Sequence, residues 1–425
     1  MRRGFSWILA GFFVLGLAAT GCKNPQLSGG ILHFDQKRYE RARETLLNAV
    51  KQEPNNAEAH FWLAKAYAEL DSTAQSRAEF DKAAQLAEQY NPEPKPEITN
   101  ALGHYWSEHH NKGLTFGKAA QDARNAETPD EKLAQENFRL ALNQFKRARV
   151  FDPTKEETPR NMGVMYFNLG QVDSGIVELQ ESQRLSPAGD SQAGEILFTQ
   201  YRRLGDQAAE KGSPENPTGL QDAVKFYTLA EQIQPNDADL LFSLGVVNYQ
   251  LATADTARHV EYYRKAASYF EKTLEQKPDD VDALNNVANL YYDLKDCEKG
   301  LVYAQRLLDL NPCEGRSYDL VGRMNDCLGK KNERVAGLVF ARGLQSGTQV
   351  PVADIQTELE KLSASALRKY REEGKPEEIR TFTDSSGADY SVWFYWTRGK
   401  ALAFVRGDFK YETKFKPQQK PCGQP

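Results

Sequence analysis

A short packing pattern recurs along most of this 425-residue chain and limits its fold more than any other feature. A small residue is followed by a large one four positions on, a second small one three later, and a proline five after that. Ala42, Leu46, Ala49 and Pro54 fit, as do Ala141, Phe145, Ala148 and Pro153, and Ala223, Tyr227, Ala230 and Pro235. Ala266, Phe270, Thr273 and Pro278 repeat it with one change. Gly175, Leu179, Ser182, Pro187 and Gly300, Ala304, Leu307, Pro312 repeat it more loosely. Steps of four and three trace one stripe of an α-helix, and the proline falls where that helix must stop. Small residues admit a neighbouring helix at close range, and the large one fills the gap beside them.

A second pattern begins shortly after most of those prolines. It reads Leu63-Ala64-x-x-Tyr67, Met162-Gly163-x-x-Tyr166, Leu244-Gly245-x-x-Asn248 and Val287-Ala288-x-x-Tyr291. Leu102-Gly103-x-x-Trp106 and Val321-Gly322-x-x-Asn325 are further members. Two helices so marked, closed by proline at a period near 34, resemble the tetratricopeptide repeat. The resemblance covers residues 31–348, with one leading half repeat and seven fuller ones, about seven to eight repeats in all. It implies a mostly α protein, a right-handed solenoid of antiparallel helix pairs in which each pair touches only its neighbours. Three repeats are stretched between their helices, from Trp106 to Ala141, Gln200 to Ala223 and Asn248 to Ala266. These insertions at one kind of turn are expected to project from one edge, as a docking surface or as tolerated surface loops.

The amino terminus has a different character. Arg2 and Arg3 precede an apolar run over residues 5–19, the length of a signal-peptide core and too short to span a bilayer comfortably. Ala19-Thr20-Gly21-Cys22 resembles the lipobox of bacterial lipoproteins, in place of an ordinary signal peptide with an incidental cysteine. The resemblance implies a signal peptide over residues 1–21 and acylation of Cys22, where several acyl chains anchor stably at roughly 0.8 kcal/mol per buried CH₂. Lys23 stands where an aspartate favours inner-membrane retention, so the implied address is the periplasmic side of an outer membrane, or the cell surface in a one-membrane host. Residues 22–30 are expected to be the acylated cysteine and a flexible tether. The remaining composition suits a soluble body, with 27% charged residues and a mean hydropathy of −0.66. A formal charge of −5 without long basic runs argues against a nucleic-acid partner.

In this family the first helix of each repeat lines the concave face at repeat positions 2, 5, 9 and 12. That carries over to Phe61 and Lys65, then Arg160, Val164 and Phe167, then Phe242, Val246 and Tyr249. Asn285, Asn289 and Tyr292 follow, with Asp319 and Arg323 last. Aromatic anchors among amides and charges suit an extended peptide or amphipathic helix, although the same rings can also fill the repeat interior. Position 2 is acidic at Glu58, Glu157, Asp239 and Asp282, which either attracts a basic partner or serves the helix dipole. Asn285 and Asn289 resemble part of the family's clamp for C-terminal carboxylates, but Leu320 occupies the next slot.

After the repeats, residues 349–375 are expected to form one capping helix, from Val352 to Glu373, over the last apolar face. The period then switches to two. Ile379 to Thr383, Tyr390 to Thr397, Ala401 to Arg406 and Phe409 to Phe415 predict an antiparallel β-meander over residues 376–416, before a tail at 417–425. Val392, Phe394 and Trp396 alternate with Trp393 and Tyr395, so one face meets the helix and the other meets the solenoid or a partner. Gly374-Lys375-Pro376, Trp393-x-Tyr395 and Phe404 are similar to small helix-plus-sheet modules of some outer-membrane lipoproteins.

Catalytic signatures are missing from the sequence. The glycines at 113 and 117 before Lys118 fall one residue short of a phosphate loop. His104, Glu108, His109 and His110 share one helix, and only His104 with Glu108 has zinc-ligand spacing. Cys297 and Cys313 lie about 20 Å apart along one helix and cannot pair. Cys297 and Cys327 flank turns of adjacent repeats and can pair after export, the alternative being buried thiols. The combined expectation is a non-catalytic, membrane-anchored scaffold without cofactors that gathers other envelope proteins or peptides in its groove. The alternatives are a regulator of a cell-wall enzyme, a metal-binding protein or enzyme using the His104–His110 helix, and an envelope spacer.

Overall fold

The computed structural model describes residues 24–90, 95–186 and 188–419. The expected signal peptide over residues 1–21 and Cys22 lie outside the described residues, as does Cys422. The chain divides into two compact units, Met1–Gly194 and Glu195–Pro425. Unit 1 holds α1 (Pro25–Asp35), α2 (Tyr39–Gln52), α3 (Ala57–Glu69), α4 (Thr73–Tyr90), α5 (Lys95–Arg124), α6 (Glu131–Phe151), α7 (Glu157–Asn168) and α8 (Val172–Leu185). The division falls within α9 (Ser191–Lys211). Unit 2 continues through α10 (Pro217–Ile233), α11 (Ala238–Ala254), α12 (His259–Gln276), α13 (Val281–Asp293), α14 (Cys297–Leu310), α15 (Gly315–Cys327) and α16 (Lys331–Ser346). These sixteen helices make eight consecutive antiparallel pairs of the tetratricopeptide type.

The sequence pattern is the core. Ala42, Leu46 and Ala49 are fully buried, and so are Ala141, Phe145 and Ala148, Ala223 and Ala230, and Ala266. In five pairs the large residue of the second helix sits on a glycine of the first. A Cβ added to Gly30 would lie 2.5 Å from Leu46, to Gly163 2.8 Å from Leu179, and to Gly245 2.7 Å from Phe270. The same close approach joins Gly113 to Phe145 and Gly205 to Tyr227. Gly103, in the expected Leu102-Gly103 signature, has open space around it, so the working notch of α5 is Gly113, ten residues further on. That is also why the near-miss phosphate loop is ordinary helix.

Caps and turns set the period. After Pro54, Pro235 and Pro278, the side chains of Asn56, Asp237 and Asp280 accept from the amides of Ala59, Leu240 and Ala283 at 3.0, 2.8 and 2.8 Å. Each cap starts the next first helix three residues before its first bonded amide. Standard pairs turn through one left-handed residue, at Lys37, Asp71, Gly170, Lys295 or Gly329. The three stretched repeats have no such residue in their turns. Their extra residues do not form projecting loops; they lengthen the helices, to 30 and 21 residues in α5 and α6, against 13 and 14 in α13 and α14. No proline or αL residue stops the first helix early, and the added turns bury their own stripe, including Ala134 and Phe138.

The expected tether is also helix. Asn24 accepts from the Gln26 amide at 2.8 Å, Pro25 takes the first helical position, and Leu27 and Gly30 are buried against α2. The glycines that suggested flexibility provide the notch for Leu46, so the leading half repeat is a whole one.

The carboxy-terminal module departs from expectation in two ways. A five-stranded antiparallel sheet runs in sequence order through β1 (Thr348–Val350), β2 (Glu378–Thr383), β3 (Asp389–Tyr395), β4 (Lys400–Val405) and β5 (Asp408–Lys414). The three-residue β1 was too short to carry a period. The single capping helix is in fact α17 (Ile355–Leu359) and α18 (Ala364–Glu373). They are broken where the Ser363 amide donates to Gly407 O at 2.9 Å and the Ser363 hydroxyl caps α18. It is the sheet that covers the last repeat. Val392, Phe394, Trp396 and Ala403 pack on Tyr318, Val339 and Phe340, while Trp393, Tyr395, Leu402 and Phe404 face α17 and α18. Both faces are thereby occupied within unit 2. The buried Glu378 carboxylate beneath the sheet is satisfied by Arg380 at 2.5 Å and the Trp396 indole at 2.9 Å.

Cys297 and Cys327 are joined by a disulfide with their Cα atoms 6.1 Å apart, across the adjacent pairs α13–α14 and α15–α16. Cys313 is disulfide-bonded as well.

Two expectations follow from this packing. Gly245→Leu drives a side chain into the Phe270 ring and is expected to destabilise unit 2 by about 1–3 kcal/mol, read by denaturant titration. In unit 1, buried His60 bonds Glu79 at 2.5 Å and the Pro54 carbonyl at 3.0 Å. Burial opposes its charge, but these bonds prevail and raise its pKa. Its stabilising contribution is therefore complete below the ordinary histidine value and fades as pH rises through the raised folded value. The melting-temperature gap between wild type and His60→Gln is expected to be wider near pH ~5.5 than near pH ~9.

Candidate partner-binding grooves

Each first helix was expected to present certain positions to a partner, and the two units realise this differently. In unit 1, α1, α3 and α5 line an open cleft of about 560 Å³. Its walls include Phe34, Phe61, Trp62, Glu69 and Tyr105, with Lys65 between them. The Lys65 ammonium lies 4.2 Å from the Trp62 ring centre, 4.8 Å from Phe34 and 5.6 Å from Phe61. Such cation–π contacts favour the charged form. Burial among these rings nonetheless lowers the Lys65 pKa, while Asp35, Glu69 and Glu97 pull it upward. Tyr105 donates to Glu69 at 3.1 Å, and burial first, then Glu69, raise its phenol well above the ordinary range.

Three unit 1 residues assigned to the groove serve the repeat interior. Arg160 is held by the buried Asp190 at 2.8 Å. Burial works against the Asp190 charge, but the bonds from Ser182, the Ala193 amide and Arg160 keep its carboxyl below the usual range. Phe167 fills the notch at Gly175, where an added Cβ would lie 2.7 Å from its ring. Val164 packs partly buried beside Phe145 and Met162. Position 12 thus fills the pair in this repeat.

In unit 2, Phe242 meets Phe270 edge-on with ring centres 5.3 Å apart, and Val246 packs on the same core. Tyr249 is 43% exposed and stacks on Tyr263 at 5.9 Å. One repeat on, Asn289 donates to the Asn285 carbonyl at 2.8 Å and accepts from Arg323. The Arg323 guanidinium lies 4.9 Å from the Tyr292 ring centre, and its buried Nε has no hydrogen-bond partner among the described residues. Asp319 is engaged by Arg334 at 2.7 Å. Asp239, Asp280, Asp282 and Arg202 surround Phe242 in a smaller cleft of about 250 Å³. There Asp239 pairs with Lys277 at 2.6 Å, and that bond holds its carboxyl below the ordinary value.

Phe34, Trp62, Tyr105 and Tyr263 were missed by counting repeat positions. Trp62 sits beside a counted position and was visible in principle. Tyr263 comes from a second helix, α12, and is brought to Tyr249 by the lengthened pair, for which no periodic signal exists.

The histidine helix does not assemble a metal site. His104 and Glu108 are 3.9 Å apart, and Glu108 is bound by Lys112 at 2.7 Å, which lowers its pKa. His109 bonds Gln144 at 2.8 Å and stacks on Phe151, while His110 stacks on Trp106. Burial lowers the His110 pKa. Among the described residues no group of three or more histidine, cysteine or acidic side chains converges on a metal position. No described helix is long and apolar enough to cross a membrane.

Three stretches match known repeat models: TPR repeat over residues 30–71, and tetratricopeptide repeat over residues 57–90 and 251–312. The chain is 22% identical over 333 residues to tetratricopeptide repeat protein 37 of Xenopus laevis, covering 70% of this chain and 19% of that protein. It therefore spans about a fifth of the length of that relative. Among solved structures, MamA aligns at 16% identity over 48% of this chain and 99% of its own, with a TM-score of 0.32. The C-terminal part of a TPR repeat-containing protein from Cytophaga hutchinsonii aligns at 15% identity, over 69% of this chain and 99% of its own, with a TM-score of 0.29. PilF of Pseudomonas aeruginosa aligns at 15% identity, over 61% and 99%, with a TM-score of 0.27.

Lys65 offers a direct check on the unit 1 cleft. Its lowered pKa leaves more free amine near neutral pH, so pulsed acetylation at pH ~8 is expected to label Lys65 ahead of the solvated lysines, as read by peptide mass spectrometry.

Proposed function

The chain is a tetratricopeptide-repeat protein, and from that premise we propose that it is a membrane-anchored scaffold of the bacterial envelope. Repeat proteins of this family act as protein-interaction scaffolds. The observation that carries the reading here is the unit 1 cleft, where aromatic walls and an accessible ammonium stand open on the first helices. Rings of this kind supply large contact area at little entropic cost, and the charges around them fix register. Exposed Tyr249 on Tyr263 and the Asn289–Arg323–Tyr292 group give unit 2 a contact surface of its own.

Acylation of Cys22 would tether the chain, and the periplasmic side of an outer membrane is the address its leader resembles. The Cys297–Cys327 disulfide supports an oxidising compartment. The partners would be other envelope proteins or peptides, in assembly, biogenesis or control of a cell-wall enzyme. Non-catalytic adaptor work suits a fold whose polar groups are spent on caps and pair-to-pair contacts.

Cross-linking in intact cells tests both halves. A partner is expected to link to peptides of α1, α3 or α5 and to lose those links in Lys65→Met of unchanged melting temperature. In unit 2, Tyr249→Ala is expected to reduce links to α11 and α13. Cys22→Ala is expected to move the chain from the membrane to the soluble fraction. Unchanged links in both variants would overturn the groove, and a membrane-bound Cys22→Ala protein would overturn the anchor.

A further inference from the structure

The outer face of the sheet changes character along its length. Under α17 and α18 it is apolar, with Ile379, Trp393, Tyr395 and Leu402. Beyond α17 the same face turns to hydroxyls and opens into a cleft of about 600 Å³ walled by α17, the Lys361–Leu362 link and the β4–β5 turn. Strand pairing aligns Thr348, Thr381, Ser391 and Phe404 in one row across β1 to β4, and sets Thr383 opposite Asp389 in the next. Neighbouring positions in such a row stand about 4.8 Å apart.

Two features distinguish this cleft from a wetted sheet margin. Glu358 is only 4% exposed, yet its carboxylate is aimed at the hydroxyl row. It accepts from Ser391 at 2.9 Å and from the exposed Lys361 at 2.7 Å, while Ser391 accepts in turn from the Trp393 indole at 2.8 Å. The second feature is Arg406. The β4–β5 turn has φ of 51° at Arg406 and 83° at Gly407, a hairpin geometry that asparagine-glycine adopts readily and a long side chain does not. Arg406 occupies that strained position, lines the cleft, and makes no side-chain hydrogen bond or ion pair among the described residues. The Arg406 amide holds the turn by donating to the Asp389 carbonyl at 2.8 Å, so the turn is fixed through its backbone while the strained side chain is left to a ligand.

We infer that this cleft binds a neutral saccharide. Closely spaced hydroxyls that both donate and accept, fixed by a buried carboxylate, match a polyol better than an apolar ligand. Glu358 and Asp389 balance Lys361 and Arg406 in formal charge, which disfavours polyanions. Leu362 gives the sugar ring an apolar edge, and the Arg406 guanidinium spans adjacent hydroxyl oxygens. This site is independent of the grooves on the repeats.

The test uses the full chain, purified without sugar-headed detergent, with chitotriose, maltotriose and xylotriose as probes in saturation-transfer NMR. At least one is expected to bind with a Kd of about 1 mM or tighter. Arg406→Asn relaxes the turn, so its melting temperature is expected to equal or exceed wild type while affinity falls at least ~10-fold. Thr381→Val, whose sheet propensity is retained, is expected to weaken binding similarly. Absence of saturation transfer from all three probes would overturn the inference, as would Arg406→Asn binding like wild type.

Discussion

The seating of one large side chain in a notch on its partner helix is the contact on which everything else here depends. Leu46, Phe145, Leu179, Tyr227 and Phe270 each sit where a Cβ on the facing glycine would clash. Interiors are close-packed, so such a contact fixes both the distance and the rotation of two helices. Ala64 and Ala288 hold the equivalent place in pairs where the second helix is less intrusive, and both are fully buried. Because most pairs are built this way, and the last pair closes glycine on glycine at Gly322 and Gly337, each can stack on the next without long-range pairing, and stability accrues locally.

Local accrual explains how the chain tolerates unequal repeats. A standard pair reverses at a single left-handed residue, and omitting it lets both helices continue. The added turns of α5 and α6 bury a stripe of their own, so the insertion is stabilised by the same packing that it extends. The end of a stack is the complementary problem, since a last pair has an apolar face and no successor. In unit 2 the sheet solves it, with Trp396 and Phe394 against Tyr318 and Phe340, and Glu378 meeting the indole that would otherwise be unpaired. The helices expected to do this lie on the other side of the sheet.

Function follows from what packing leaves over. A ring that fills a notch, as Phe167 does, is unavailable to a partner, whereas Tyr249 stays exposed and Trp62 lines the open cleft. The charged residues divide the same way. Arg160 and Asp319 are committed to internal ion pairs, while Lys65 has rings against its ammonium and carboxylates only further off. Family position numbers cannot make this distinction, because they record where a side chain points and not what is waiting there.

The sequence by itself determined the helix pairs, their stripes and most strand positions, since periods of 3.6 and 2 and the proline–cap spacing are local properties of the chain. Phe145 and Phe270 were legible as core, and Cys297 and Cys327 as neighbours. Only tertiary structure decided that Gly113, and not Gly103, is the notch in α5. It also decided that Gly30 belongs to a helix, and that Thr348–Val350 joins a sheet whose next strand lies far along the chain. Those outcomes depend on what approaches each residue from elsewhere, and a glycine reads the same whether it frees the backbone or receives a leucine. The cleft beside Glu358 is of this second kind: its hydroxyls lie on three strands, and only pairing brings them together.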